Sequence, residues 1–150
     1  MNFNYRIEKL SYKAFLSFIK DVEQDFVPPL LDRIDVETYY NKVNTYAAFI
    51  ECYHDNDLVG LLISYVNNKE TRKGFVTFIA VKNCYRGNGI AGNLLDKACE
   101  FAKYNGMSVL GIDTNNIIAR DCYIKNGFKL IESHRQENSL LERFYLERTF

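Results

Sequence analysis

The chain has 150 residues, 47% of them hydrophobic, enough for one globular domain, residues 1–150, with a core of its own. Nineteen Lys and Arg balance nineteen Asp and Glu, so neither a polyanion-binding surface nor an acidic tail is advertised and nucleic-acid binding is disfavoured. No basic-then-apolar leader opens the sequence and no apolar run reaches membrane-spanning length, so a soluble cytoplasmic protein without membrane attachment is expected.

Residues 5–10 alternate like a first strand. From Ser11, a natural cap, Phe15, Leu16, Phe18, Ile19, Val22 and Phe26 recur at helical spacing, and the helix is expected to stop at Pro28 and Pro29. Residues 35–42 read as a short second helix opened by Asp35. Residues 47–53 and 58–66 form two strands around the turn at 54–57. A polar connection leads to the apolar strand 75–81, which runs into a glycine-rich turn. The helix leaving it, 89–104, puts Ile90, Leu94, Leu95, Ala98, Phe101 and Ala102 on one side and stops at Gly106. A strand at 107–113, a helix at 116–126 closed by Gly127, and strands at 128–135 and 141–148 complete the chain. The order β-α-α-β-β-β-α-β-α-β-β predicts an α/β layered domain, a mostly antiparallel mixed sheet flanked by helices.

Cys52, Cys84, Cys99 and Cys122 include no C-x-x-C pair, and His54 and His134 lie far apart. Reduced thiols and no metal site are expected. The chemistry points instead to Arg86-Gly87-Asn88-Gly89-Ile90-Ala91-Gly92, where the strand turns into the helix. Amides at a helix start have no intrahelical partners and converge with the positive end of the helix dipole. Glycines let a phosphate approach that backbone, and Arg86 adds a positive charge, which predicts a pyrophosphate-binding turn. Residues 87–92 also read literally as G-x-G-x-x-G, with Asp113 downstream as in a dinucleotide-binding oxidoreductase. Against that stand the five residues between strand and first glycine and the short tail after Asp113.

Arg86-x-x-Gly89-x-Ala91 resembles the R/Q-x-x-G-x-G/A signature of the GNAT superfamily of N-acetyltransferases. Asn116-x-x-Ala119-x-x-x-Tyr123-x-x-x-Gly127-Phe128 resembles a second segment of that family, at matching order and spacing. The resemblance covers residues 75 to 130 and implies the GNAT acyl-CoA N-acyltransferase fold. It implies acetyl-CoA as cosubstrate, bound by Arg86, Gly87, Asn88, Gly89, Ile90 and Ala91 at the pyrophosphate. Main-chain groups of Ile79, Ala80 and Val81 would hold the pantetheine arm, and Asn116 would contact it or cap its helix. Tyr123 is the implied catalytic residue, placed to stabilise the departing thiolate. The glutamates common in the family fall at Phe75 and Gly111, leaving Asp113, Glu51 and His54 as candidate bases.

The implied reaction is direct attack by a primary amine of a small molecule on acetyl-CoA in a ternary complex. Six carboxylates between Asp21 and Glu37, against Arg33 alone, form either a solvated face or a negative rim attracting a cationic amine. A CoA-binding module without catalysis is the alternative that the missing glutamates suit. The last strand, with Phe144, Tyr145 and Leu146, either pairs with a second copy in a homodimer or completes the monomer's sheet.

Overall fold

The computed structural model describes residues 1–135 and 141–150. Strand β1 (Asn4–Ile7) leads to helices α1 (Tyr12–Val22) and α2 (Val36–Tyr46), then to β2 (Ala48–His54), β3 (Asp57–Tyr65) and β4 (Lys73–Val81). Helix α3 (Ile90–Tyr104), β5 (Val109–Thr114), α4 (Ile117–Lys125), β6 (Lys129–Arg135) and β7 (Glu142–Thr149) follow. This is the order that the periodicities predict. The Ser11 hydroxyl accepts from the Ala14 amide, and the Asp35 carboxylate accepts from the amides of Glu37 and Thr38, so both expected caps form.

Two helix ends differ from expectation. Helix α1 stops at Val22 rather than at the prolines, and residues 23–25 form a single 3-10 turn. Asp21, Glu23 and Asp25 crowd its C-terminal end, where the dipole disfavours negative charge. Asp21 and Asp25 are also drawn to Lys82 and Arg86, at 3.2 and 2.7 Å. Helix α2 runs to Tyr46 rather than Lys42, because Val43 continues the buried face begun by Tyr40.

The seven strands form one sheet in the order β1-β2-β3-β4-β5-β7-β6. Every pairing is antiparallel except β4 with β5. A doubly wound parallel sheet, and with it the dinucleotide alternative, is thereby excluded. Central strand β3 is buried on both faces, with Leu61, Leu62 and Ile63 fully covered. Phe15, Phe18, Phe49, Leu61 and Ile63 form the core under α1 and α2. Ile50, Leu62, Leu94, Leu95, Leu110 and Phe128 form the core under α3 and α4.

One irregularity positions the site. Ile63 pairs with Phe78 and Ser64 with Val76, so Thr77 is an extra residue in β4. Its hydroxyl meets that of Tyr39 on α2 at 3.1 Å, and the next side chain, Phe78, packs against Phe18 and Phe26. Two consecutive side chains thus face the same helices, as a β-bulge requires, and a bulge bends its strand. Pairing of β4 with β5 ends at Val76 with Ile112. Beyond the bulge β4 stays with β3 through Val81 while β5 stays with β7 through Thr114. The two parallel strands therefore diverge, and a cleft opens between them.

Candidate active site

At the far end of β4 the chain makes a 3-10 turn at residues 83–85 and enters α3 through Gly87 and Gly89, both with φ near +80° (82° and 74°). That left-handed conformation costs an L-residue roughly 1–2 kcal/mol, and a Cβ at either glycine would meet nothing within 4 Å. Backbone conformation, rather than space, is what calls for glycine here. No side chain caps α3, and among the described residues none of the amides of residues 87–92 has an acceptor. Six consecutive N–H groups at a helix start are left for a ligand, as an anion-binding turn demands. Asn88 steadies the turn by donating to the Tyr85 carbonyl at 2.9 Å.

Arg86 is held rather than free. Its guanidinium donates to Asp25 at 2.7 Å, to the Val81 carbonyl at 3.3 Å and to Asn83 at 3.3 Å. The cation still lies beside the turn, paired with Asp25. Val81 itself is buried, its carbonyl engaged by Arg86, and it does not line the cleft.

From Arg86 a corridor of about 360 Å³ follows β4 along Ile79 and Ala80, with Asn116, Ala119, Cys122 and Tyr123 of α4 opposite. It meets a second cavity of about 110 Å³ at Ile79 and Tyr123, which line both. Tyr123 is 7% exposed and packs on Phe128. Burial pushes its pKa upward, and no side-chain partner holds its hydroxyl among the described residues. The Asn116 carbonyl oxygen accepts from the amides of Ile118 and Ala119 at 2.8 and 3.1 Å, so the helix-cap reading of this residue holds. Asn116 also lines the corridor. Ile90 and Ala91 pack against the core, so only their amides face outward chemistry.

The three candidate bases separate clearly. Asp113 lines the inner cavity, bound by Arg143 at 2.8 Å. His54 lies elsewhere, its ring meeting the Asn2 carbonyl and packing on Phe3 and Tyr85. Glu51 is fully buried on β2, accepts from the Tyr53 hydroxyl at 2.9 Å and leaves its second oxygen unpartnered. Neither lines the cleft. Burial pushes the Glu51 carboxyl up from 4.5 to about 7, against the lowering effect of the Tyr53 bond. The folded protein therefore holds a proton that the unfolded chain releases, so stability should fall as pH rises from about 4.5 to about 7. Glu51→Gln is expected to flatten that stretch of a thermal-midpoint profile; a variant with the same slope would remove Glu51 as its cause.

Phe75 and Gly111 face each other across the last paired rungs of β4 and β5. A Cβ on Gly111 would lie 2.3 Å from the Tyr145 hydroxyl and 2.9 Å from its ring. That hydroxyl is fixed by donation to Glu147 at 2.8 Å. The space of a side chain at position 111 is thus filled from β7. Gly111→Ala should displace the Tyr145 ring and lower unfolding free energy by about 1–3 kcal/mol, measurable by urea denaturation.

A model of the acetyltransferase (GNAT) family matches residues 14–128, which include the turn, both walls of the cleft and Tyr123. The chain belongs to the GNAT family. It is 33% identical over 124 residues to the N-acetylaspartate synthetase of Xenopus tropicalis, covering 77% of this chain and 45% of that protein. It is 30% identical over 91 residues to the chloroplastic GCN5-related N-acetyltransferase 6 of Arabidopsis thaliana, covering 59% and 32%. This GNAT chain spans less than half the length of either relative. The Bacillus subtilis acetyltransferase solved in complex with CoA shares the fold at a TM-score of 0.73 and 15% identity, over 99% of both chains.

Among the described residues of this GNAT domain, no group of three metal-binding side chains comes together. None of its described helices is long and apolar enough to cross a membrane. The four cysteines are free, and Cys122 lines the corridor. Sequence reading missed the bulge at Thr77, the ion pair of Arg86 with Asp25, and the arrival of Arg33 and Arg143 at the cleft. The alternation of β7, with Phe144 and Leu146 buried, was the available signal for Arg143, since it sends residues 143, 145 and 147 to the opposite face.

Proposed function

We propose that this chain is an acetyl-CoA-dependent N-acetyltransferase that acts on a primary amine of a small molecule within a ternary complex. The observation that carries the reading is the continuity of the cleft. Unpartnered amides lie at one end, diverging strands run along it, and Tyr123 stands where corridor and inner cavity meet. The names of the two curated relatives, one an N-acetylaspartate synthetase and the other an N-acetyltransferase, support transfer of acetyl to nitrogen.

In this reading the pyrophosphate sits on the amides of Gly87, Asn88, Gly89, Ile90 and Ala91 beside Arg86. The pantetheine arm lies as an added strand on the free edge of β4 at Ile79 and Ala80. Free β4 amides polarise the thioester carbonyl. The amine nitrogen attacks that carbon, the C–N bond forms, the C–S bond breaks and coenzyme A leaves as thiolate. Tyr123 donates a hydrogen bond to the sulfur as its charge grows. Its raised pKa favours this over full proton transfer, because a buried phenolate is costly. The amine's proton passes to water, since Asp113 is committed to Arg143.

Thiol release from acetyl-CoA over an amine panel tests the proposal. Turnover with any amine sustains it. Tight binding of CoA without turnover would establish the non-catalytic module instead, the reading that Phe75 and the filled space at Gly111 favour.

A further inference from the structure

We propose that the acceptor amine carries a carboxylate, bound by Arg33 in the inner cavity beyond Ile79 and Tyr123. This deepens the acetyl-transfer reading and rests on it for the identity of the ligand as acceptor. The charged side chains lining the cavity are Arg33, Asp113 and Arg143. Asp113 is consumed by Arg143 at 2.8 Å, whereas no described residue pairs with the Arg33 guanidinium. Among the described residues one positive charge is therefore left over beside Ile79 and Tyr123, where the acetyl-transfer reading places the acceptor.

Arg33 is also aimed. Its guanidinium lies 5.7 Å from the centre of the Phe26 ring, which stacks on Phe78 of β4 at 5.7 Å and 23°. A planar cation fixed on an aromatic face presents its outer N–H groups for a two-pronged bond to a planar carboxylate. Partial desolvation and the adjacent Arg143 charge lower its pKa, with Asp113 offsetting in part, although the residue as a whole stays exposed. Glu142 shares an adjoining pocket with Arg33 and Arg143 but does not line the inner cavity, and no ion pair joins it to Arg33 among the described residues.

The acidic stretch between Asp21 and Glu37 does not reverse this balance. Asp21 and Asp25 are paired with Lys82 and Arg86, and Asp35 caps α2. None of these carboxylates lines the inner cavity. A polyamine would meet surplus positive charge there.

The experiment compares thiol release for α-amino acids, their carboxamides, spermidine and O-phosphoethanolamine, using wild type, Arg33→Gln and Arg33→Lys. The expected result is kcat/KM at least about tenfold higher for an acid than for its carboxamide. Arg33→Gln should erase that preference through KM, leave carboxamides within about twofold and leave the KM for acetyl-CoA unchanged. Arg33→Lys should recover part of it. Equal use of acids and carboxamides, or preference for spermidine, overturns the proposal. Preference for the phosphate-bearing amine overturns the carboxylate in favour of another anion. If acetyl-CoA binds but no amine is acetylated, the transfer reading fails by itself. Calorimetry on CoA-loaded protein then decides the anion site: heat for acids that Arg33→Gln abolishes sustains it, and no heat overturns it.

Discussion

Replacing Gly89 by valine is expected to weaken acetyl-CoA binding about tenfold to a hundredfold while the domain stays folded. Gly89 has φ of 74°, a conformation in which a β-branched residue is a steric outlier. An added Cβ would touch nothing within 4 Å, so the cost is paid by the backbone alone. Relief comes from rotating the turn, and rotation takes the amides of residues 87–92 away from their common focus. Helix α3 is anchored independently by Ile90, Leu94, Leu95 and Ala98 in the core, which is why the fold should survive. Calorimetric titration with acetyl-CoA beside a circular-dichroism melt measures both quantities. Unchanged affinity in a folded variant would show that these amides do not bind the cosubstrate.

Tyr123→Phe should lower kcat tenfold or more with acetyl-CoA affinity nearly intact. Phenylalanine keeps the ring that packs on Phe128 at 6.3 Å, so the variant removes one hydroxyl and little else. A hydrogen bond to a charged group contributes about 1.5–3 kcal/mol, or about ten- to a hundredfold in rate when it forms only as the thiolate develops. Steady-state kinetics separates the two effects: a fall in kcat with unchanged KM for acetyl-CoA marks a bond made in the transition state. Unchanged turnover would remove Tyr123 from the mechanism.

Much of this domain is legible in the sequence because its signals are local. The glycine-rich turn, the apolar stripe of α3 and the caps at Ser11 and Asp35 each depend on residues a few positions apart. Asn116 was legible as a cap or a cofactor contact, and its hydrogen bonds show the cap. The bulge was not legible, because an extra residue exists only relative to a partner strand. Thr77 is an ordinary strand residue until Ser64 pairs with Val76. Arg33 and Arg143, 110 positions apart, meet only when β7 lies beside β5 and the loop after α1 folds over β4. The acidic run was readable in the sequence only as one of two alternatives, a solvated face or a negative rim, for a similar reason. Whether a carboxylate forms a free rim depends on cations elsewhere in the chain, and Lys82 and Arg86 claim two of them.

The most direct measurement is a ¹H–¹⁵N spectrum of the protein titrated with coenzyme A. The amides of residues 87–92 should move first and furthest, with Ile79 and Ala80 following as the pantetheine arm settles on β4. Saturation with those signals unmoved, or a spectrum that coenzyme A leaves untouched, would contradict binding at these amides.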